Sequence, residues 1–392
     1  LNIWRTLTTS PRRSVGVLLL IALLLSACGG ATSESWAGIL ANPQDGTIYV
    51  SFNQHVVALN PSSGAVVWEY GVEGKRIRFF ATPTLADDTL YVGDYNGRLH
   101  ALNTDGEAQW VYEPSRETLI GPLSLTPTDR IIGAATVGPK YVYVGLGSRN
   151  VVAVDRETGE EAWLFETDHG VWAEPLYIPA DDENGTPATL YVASLDHHLY
   201  ALNPESGQML WKVDLGGAVP GNVIYDAQRG RIYAGTFVSE LVAVDINTHQ
   251  VVARFQADDW LWGAPVLDEG VLYFGDLAGN LYAVQVNDEG FSQLWKRALA
   301  QEGIRAAPIL TDGLLIVGAK DEHLYAVHKE DGSDAWSTPT KGAVLSDVVF
   351  VPAETVSEDT PAMVIVGTDD AKHLIAAFDA ATGEARWEYA DK

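Results

Sequence analysis

The sequence is poor in three things: sulfur, positive charge and long apolar runs. One cysteine, Cys28, stands among 392 residues. The chain therefore has no internal disulfide, and its fold rests on packing alone. Lys and Arg number 25 against 52 Asp and Glu, a formal charge of −27. A surface that acidic repels phosphate backbones, which argues against nucleic acid as a partner and against broad contact with anionic lipid. The apolar run at residues 15–25, "VGVLLLIALLL", falls short of the ~20 residues that span a bilayer. No G-x-S-x-G nucleophile motif occurs. Gly145-Leu146-Gly147 lacks both a third glycine and a following helix, so it is no dinucleotide fingerprint.

What is present begins with export. Arg5, Arg12 and Arg13 precede the apolar run, and "LSAC" (Leu25-Ser26-Ala27-Cys28) follows it. A basic start and a short apolar core read as a secretory signal. The four residues resemble the bacterial lipobox, which implies a signal peptide over 1–27 and a lipidated Cys28. Anchors of this kind carry two or three acyl chains, enough for stable membrane attachment. Residues 28–35, with "GGATSES" after Cys28, read as a short flexible tether. Removing 1–27 leaves 22 basic and 52 acidic residues, a charge of −30. The expected location is the extracytoplasmic side of a membrane, the outer one in a cell that has two.

From residue 36 onward one pattern recurs, A-x-N-x3-G-x3-W. Ala58, Asn60, Gly64 and Trp68 set it out. Trp163, Trp211, Trp336 and Trp387 end copies of the same spacing. The copy ending at Trp110 is one residue short, and the copy ending at Trp295 is two residues long. A worn copy has His249 for the glycine and Ala253 for the tryptophan. Before each motif lie two short alternating segments around a turn, as in "TLYVGDYNGRLHALN". Further upstream, small residues and a proline open another segment: "ATPTL", "AEPLY", "GAPVL", "AAPIL". Four strands repeating every 40 to 52 residues make propeller blades. The expected fold is all-β: an eight-bladed β-propeller of four-stranded antiparallel blades over 36–392. The Asx residue starts a turn and the glycine supplies its positive φ. Trp68, Trp110, Trp163, Trp211, Trp295, Trp336 and Trp387 each give an outer strand an apolar plate to dock on the next blade. At Ala253 that clamp is missing, and the ring is expected to be loosest there.

This repeat resembles the tryptophan-docking repeat of the pyrroloquinoline-quinone (PQQ) type propellers. Eight such repeats behind a lipobox resemble the BamB family of outer-membrane-protein assembly lipoproteins. The resemblance implies a non-catalytic envelope scaffold whose partner is an envelope or outer-membrane protein, such as a β-barrel assembly component. Quinoprotein dehydrogenases share the repeat. That family holds calcium beside its quinone, and many members add a disulfide of adjacent cysteines, which one cysteine cannot form. Asp94-Tyr95-Asn96-Gly97 reads as a turn and lacks the later ligands of a calcium loop. No cofactor, metal or catalytic residue is therefore expected. His197 and His198 fall in the turn between the second and third strands of the fourth unit, and since adjacent residues on a strand point to opposite faces, they are not expected to share a metal. A quinone- or saccharide-binding funnel is the competing class, and a surface sensor or adhesive lipoprotein is a third.

Two departures from the repeat mark where a partner could bind. Three long steps place extra residues at 126–139, 179–187 and 352–361, expected between the first and second strands of their blades. They are either a decorated face or tolerated drift. Between blades, on the other face, stand Lys75, Arg76, Arg78, Phe79 and Phe80, then Trp172, Trp260, Trp262 and Arg305. Aromatic and arginine side chains are the usual interface anchors. The alternative is that these rings plug the channel or pack between blades.

Overall fold

The computed structural model describes residues 36–71, 77–114, 129–181, 185–356 and 360–391. The expected signal peptide, Cys28 and tether lie outside the described residues, as do Lys75 and Arg76. Residues 36–392 form one compact unit. Its strands make eight four-stranded sheets, each built from four consecutive strands. In blade one these are Gly38–Ala41, Ile48–Phe52, His55–Leu59 and Val66–Gly71, all antiparallel. The chain is an eight-bladed β-propeller, as its repeats predict. Among the described residues no helix is long and apolar enough to cross a membrane.

Burial within a blade follows from its neighbours. Sheets cover both sides of the two middle strands, so Tyr141–Leu146 of blade three is buried throughout. The outer strand Glu161–Glu166 alternates between exposed and half-buried positions, the period of a strand with one wet face. The apolar core is divided into clusters that each straddle one junction. One packs Ile48, Val50 and Leu59 of blade one against Val351, Ile365 and Ala377 of blade eight. The ring thus closes by packing, with no strand exchanged between the first and last blades.

Each motif alanine faces the motif tryptophan across the ladder, as in Ala58↔Trp68 and Ala201↔Trp211. The register shifts by a bulge directly after that alanine. A small residue there leaves room for the indole to turn toward the next blade. Five of the seven indoles donate to the backbone carbonyl one residue past the next motif's Asx or His position. Trp68 reaches Thr104 at 2.8 Å, Trp110 reaches Arg156 at 3.0 Å and Trp163 reaches Pro204 at 2.9 Å. Trp295 reaches Lys329 at 3.0 Å. Trp387 closes the ring on Pro61 at 2.6 Å. The next blade's glycine lies under the ring, and a Cβ on Gly207 would stand 2.5 Å from Trp163. Gly207 also needs its φ of +69°, so this position demands glycine twice over.

The worn copy affects two junctions, four–five through His249 and five–six through Ala253, and each is filled in another way. His249, at the glycine position, stacks on Trp211 with ring centroids 4.5 Å apart. Beyond Ala253, blade six lengthens its outer hairpin to Asn280–Asn287 and Gly290–Ala298. Phe291 of that hairpin packs 6.0 Å from Tyr233 of blade five. The Arg231 guanidinium donates to the carbonyls of Asn287 at 2.9 Å and Asp288 at 3.4 Å. The missing clamp is replaced by an apolar ring and a cation supplied from other positions.

One insertion is not where the spacing placed it. The first strand of blade three is Thr136–Val137. The extra residues before it therefore belong to the connection from blade two, not to a hairpin inside blade three. The other two insertions do lie between first and second strands. Each blade's first hairpin and its motif turn share one face. The inter-blade connections and the turns between second and third strands share the other.

Candidate functional site

The first strands of neighbouring blades pack against one another around the axis. The residue two places before each of these strands faces the channel mouth. Going round the ring, that position holds Trp36, Thr82, Ala134, Glu174, Asn222, Ala264, Ala307 and Asp347. These side chains replace one another at a position where the motif repeats nothing. Seven of the eight line a cavity of about 280 Å³, together with Trp172, Trp262 and Arg305.

The polar members of the ring are tied to neighbouring blades. Asn222 accepts from the Glu174 backbone N–H at 2.8 Å and donates to the Glu174 carboxylate at 3.2 Å. Asp347 accepts from the Ala307 backbone N–H at 2.7 Å. Burial pushes the Glu174 carboxyl up to about 7; the Thr136 hydroxyl opposes this, and the charge of Asp347 adds to it. Asp347 is reachable from the cavity but surrounded by protein, which raises its carboxyl, while the Ala307 N–H and Arg305 pull it down. With its carboxyl at about 7, Glu174 makes the mouth less negative near neutral pH than its composition implies.

Beside these acids lies an aromatic wall. The Arg305 guanidinium sits 3.8 Å from the Trp36 ring centroid and 4.0 Å from that of Trp262. Trp262 lies 6.0 Å from Trp172 and 5.2 Å from Phe237. Phe237 lies 4.8 Å from Trp260. A cation between two indoles is held by the quadrupoles of both rings. It links blade seven to blades one and six across the mouth.

The nine residues singled out between blades thus separate. Lys75 and Arg76 are outside the described residues, and Arg78 is exposed. Phe79 and Phe80 are buried. Phe79 bridges the turns of blades one and two through Asn53 and Asp94, and packs 5.0 Å from His100. Phe80 packs 4.7 Å from Tyr95. These two rings serve the junction and do not face solvent. Trp172 and Trp262 are half-buried in the cavity wall, Arg305 is buried, and Trp260 is exposed. The structure brings Trp172, Trp260, Trp262 and Arg305 into one cluster, with Arg78 on the same face. Glu174, Asn222, Asp347, Trp36 and Phe237 were not singled out from the sequence. Aligning the small-residue-proline segments would have exposed the first three, because each puts a polar side chain where other blades carry Ala or Thr. Among the described residues no group of three or more His, Cys, Asp or Glu could hold a metal ion.

Comparison with known proteins places this architecture. The family profile described as outer membrane protein assembly factor BamB matches residues 2–174 and 195–392. The outer membrane protein assembly factor BamB of Yersinia pestis is 29% identical over 262 residues, covering 62% of this chain and 60% of that protein. The quinohemoprotein alcohol dehydrogenase ADH IIB of Pseudomonas putida is 28% identical over 219 residues, covering 52% of this chain and 28% of that protein. The matched regions thus span less than two thirds of either relative. The crystal structure of BamB from Moraxella catarrhalis superposes with a TM-score of 0.64 at 16% identity, covering 86% of this chain and 94% of that one. At that identity the superposition shows a shared fold.

Proposed function

Because the chain belongs to the family described as outer membrane protein assembly factor BamB, we propose that it is a non-catalytic, lipid-anchored scaffold of the cell envelope that assists outer-membrane protein assembly. Its partner is an envelope or outer-membrane protein, such as a component of the β-barrel assembly machinery. Cys28 carries the anchor. The partner meets the mouth face through Arg78 and the loops around it, with Lys75 and Arg76 adding positive charge to an acidic protein.

The observation that carries this reading is the division of labour in the ring. The repeated tryptophans and glycines go into junctions, and a set of unrepeated side chains lines one mouth. Such a surface holds a partner by anchors in a polar rim. The similarity to quinohemoprotein alcohol dehydrogenase makes an enzyme the second reading. A planar quinone stacked in the funnel needs free indole faces. Here Arg305 already covers a face of Trp36 and a face of Trp262, which supports the scaffold reading over a quinone stacked on those faces.

The test is crosslinking and pull-down of the tagged, lipidated protein from its native membrane. The scaffold reading expects one envelope or outer-membrane protein to be enriched at constant stoichiometry. Quinone uptake at one per chain with dye reduction, and no protein partner, would overturn it.

A further inference from the structure

The axial cavity is a space that the fold keeps open. Protein interiors are close-packed, with few voids larger than a water molecule. Here every blade brings one side chain to the axis, yet about 280 Å³ stays unfilled. That is near the lower end of small-molecule sites, which run from ~300 to ~1,000 Å³. Ala134 and Ala264 line the space with methyl groups alone, while Glu174, Asn222 and Asp347 carry polar groups into it. The wall is fixed by backbone contact between blades. A Cβ on Gly133 would stand 2.5 Å from the Trp172 carbonyl oxygen, and one on Gly263 would stand 2.8 Å from that of Arg305. Trp172 and Arg305 thus hang from backbone seated on a glycine of the preceding blade, which no larger residue allows.

The polar groups are oriented without help from a ligand. Asn222 is tied to the Glu174 backbone and carboxylate, and Asp347 to the Ala307 N–H. Glu174 belongs to blade four and Asp347 to blade eight, half the ring apart. A ligand on the axis therefore has an acid on either side. Two carboxyls repel an anion. Arg305 already supplies a cation whose charge acts on Asp347, so the cavity does not call for a second one. Near neutral pH the Glu174 carboxyl, at about 7, is divided between its ionised and protonated forms. It can accept from one hydroxyl and donate to another. Among the described residues no cation stacks on Trp172, and its indole N–H has no protein acceptor. Its ring offers the cavity an apolar face with a polar edge. Acids and an amide around the axis, with an indole on the wall, match a small ring that is apolar on its faces and hydroxylated at its edge.

We propose that the axial cavity binds a neutral polyol the size of one pyranose ring, its hydroxyls bonded to Glu174, Asn222 and Asp347 and its C–H face laid on Trp172. The alanines set the size limit, because a longer side chain at Ala134 or Ala264 would fill the space. The site is separate from the partner surface at Arg78 and stands whether or not that surface holds a partner. The same ring occurs as a free sugar and as the end of a glycan chain. Its chemistry is shared, and the two sources differ in whether a second sugar must fit outside the mouth.

The experiment titrates the full-length protein with the methyl pyranosides of glucose, galactose, mannose and N-acetylglucosamine, followed by calorimetry and saturation-transfer NMR. At least one should bind at one per chain. Glucuronate and tetramethylammonium, an anion and a cation of similar size, should bind at least tenfold more weakly. Asn222→Ala and Ala264→Leu should each weaken the sugar at least tenfold at an unchanged melting temperature. Asp312→Asn, at an exposed position in the first hairpin of blade seven on the other face, should leave it unchanged. Asn222→Asp, of equal size, should cost at least tenfold as well and keeps the test decisive if the other variants fail to fold. Binding of a disaccharide that ends in the preferred ring identifies a glycan end, and its exclusion identifies a free sugar; either outcome supports the site. No pyranoside binding tighter than about 10 mM, sugar binding untouched by Ala264→Leu, or preference for tetramethylammonium overturns it. Each of those failures leaves the scaffold reading, which partner capture tests, where it was.

Discussion

The outer rim and the axial mouth are built from the same eight units, yet they obey opposite rules. At the rim, one contact is copied: an indole on the next blade's glycine, its N–H on the next blade's carbonyl. At the mouth, one position holds six residue types, from alanine to glutamate to tryptophan. Repetition marks what every junction needs, and variation marks what only one side of one molecule needs. The junction between blades five and six shows that the rim rule concerns a contact, not a residue. With Ala253 in the tryptophan's place, Phe291 and Arg231 occupy the gap.

The largest effect should come from breaking a rim clamp. Trp163→Ala removes an apolar plate and orphans the Pro204 carbonyl, and should cost about 3–5 kcal/mol in urea unfolding. A loss below 1 kcal/mol would mean that the clamp is decorative. The substitute clamp should behave likewise on a smaller scale. Phe291→Ala is expected to cost about 2–3 kcal/mol, since the ring is only partly buried. A neutral result would restore the view that this junction is the loose one.

The mouth should respond to pH where the rim does not. The Glu174 carboxyl is pushed up to about 7 from an ordinary value of 4.5. Between those values the folded state binds more protons than the unfolded one. Stability therefore falls as pH rises from about 4.5 to about 7. Glu174→Gln should remove that slope and, at pH 8, exceed the native protein by about 1–3 kcal/mol. An unchanged slope would show that the carboxyl is not confined.

The rim was legible in the sequence because each of its contacts is made by a fixed residue at a fixed spacing. Alanine, Asx, glycine and tryptophan act locally, and their partners lie in the next copy of the same motif. The mouth was legible only in part. Trp172, Trp260, Trp262 and Arg305 announced themselves by residue type. Glu174 and Asp347 did not, because an acid in so acidic a chain carries no signal until its neighbours are known. Phe79 and Phe80 misled for the converse reason: loop aromatics look like anchors unless one sees the bridge that draws them inward. The insertion before blade three was placed one strand too late because Thr136–Val137 is too short to show any alternation.

The smallest expected change in stability belongs to the most informative variant. Arg78→Glu alters an exposed side chain and should shift unfolding by no more than about 0.5 kcal/mol. The decisive measurement is partner capture by the lipidated Arg78→Glu protein from native membranes, with Trp163→Ala compared below its melting temperature. If the rim builds and the mouth binds, Arg78→Glu loses at least tenfold in capture at an unchanged melting temperature, and Trp163→Ala captures as well as the native protein. Full capture by Arg78→Glu, or loss of capture by folded Trp163→Ala, would contradict that division.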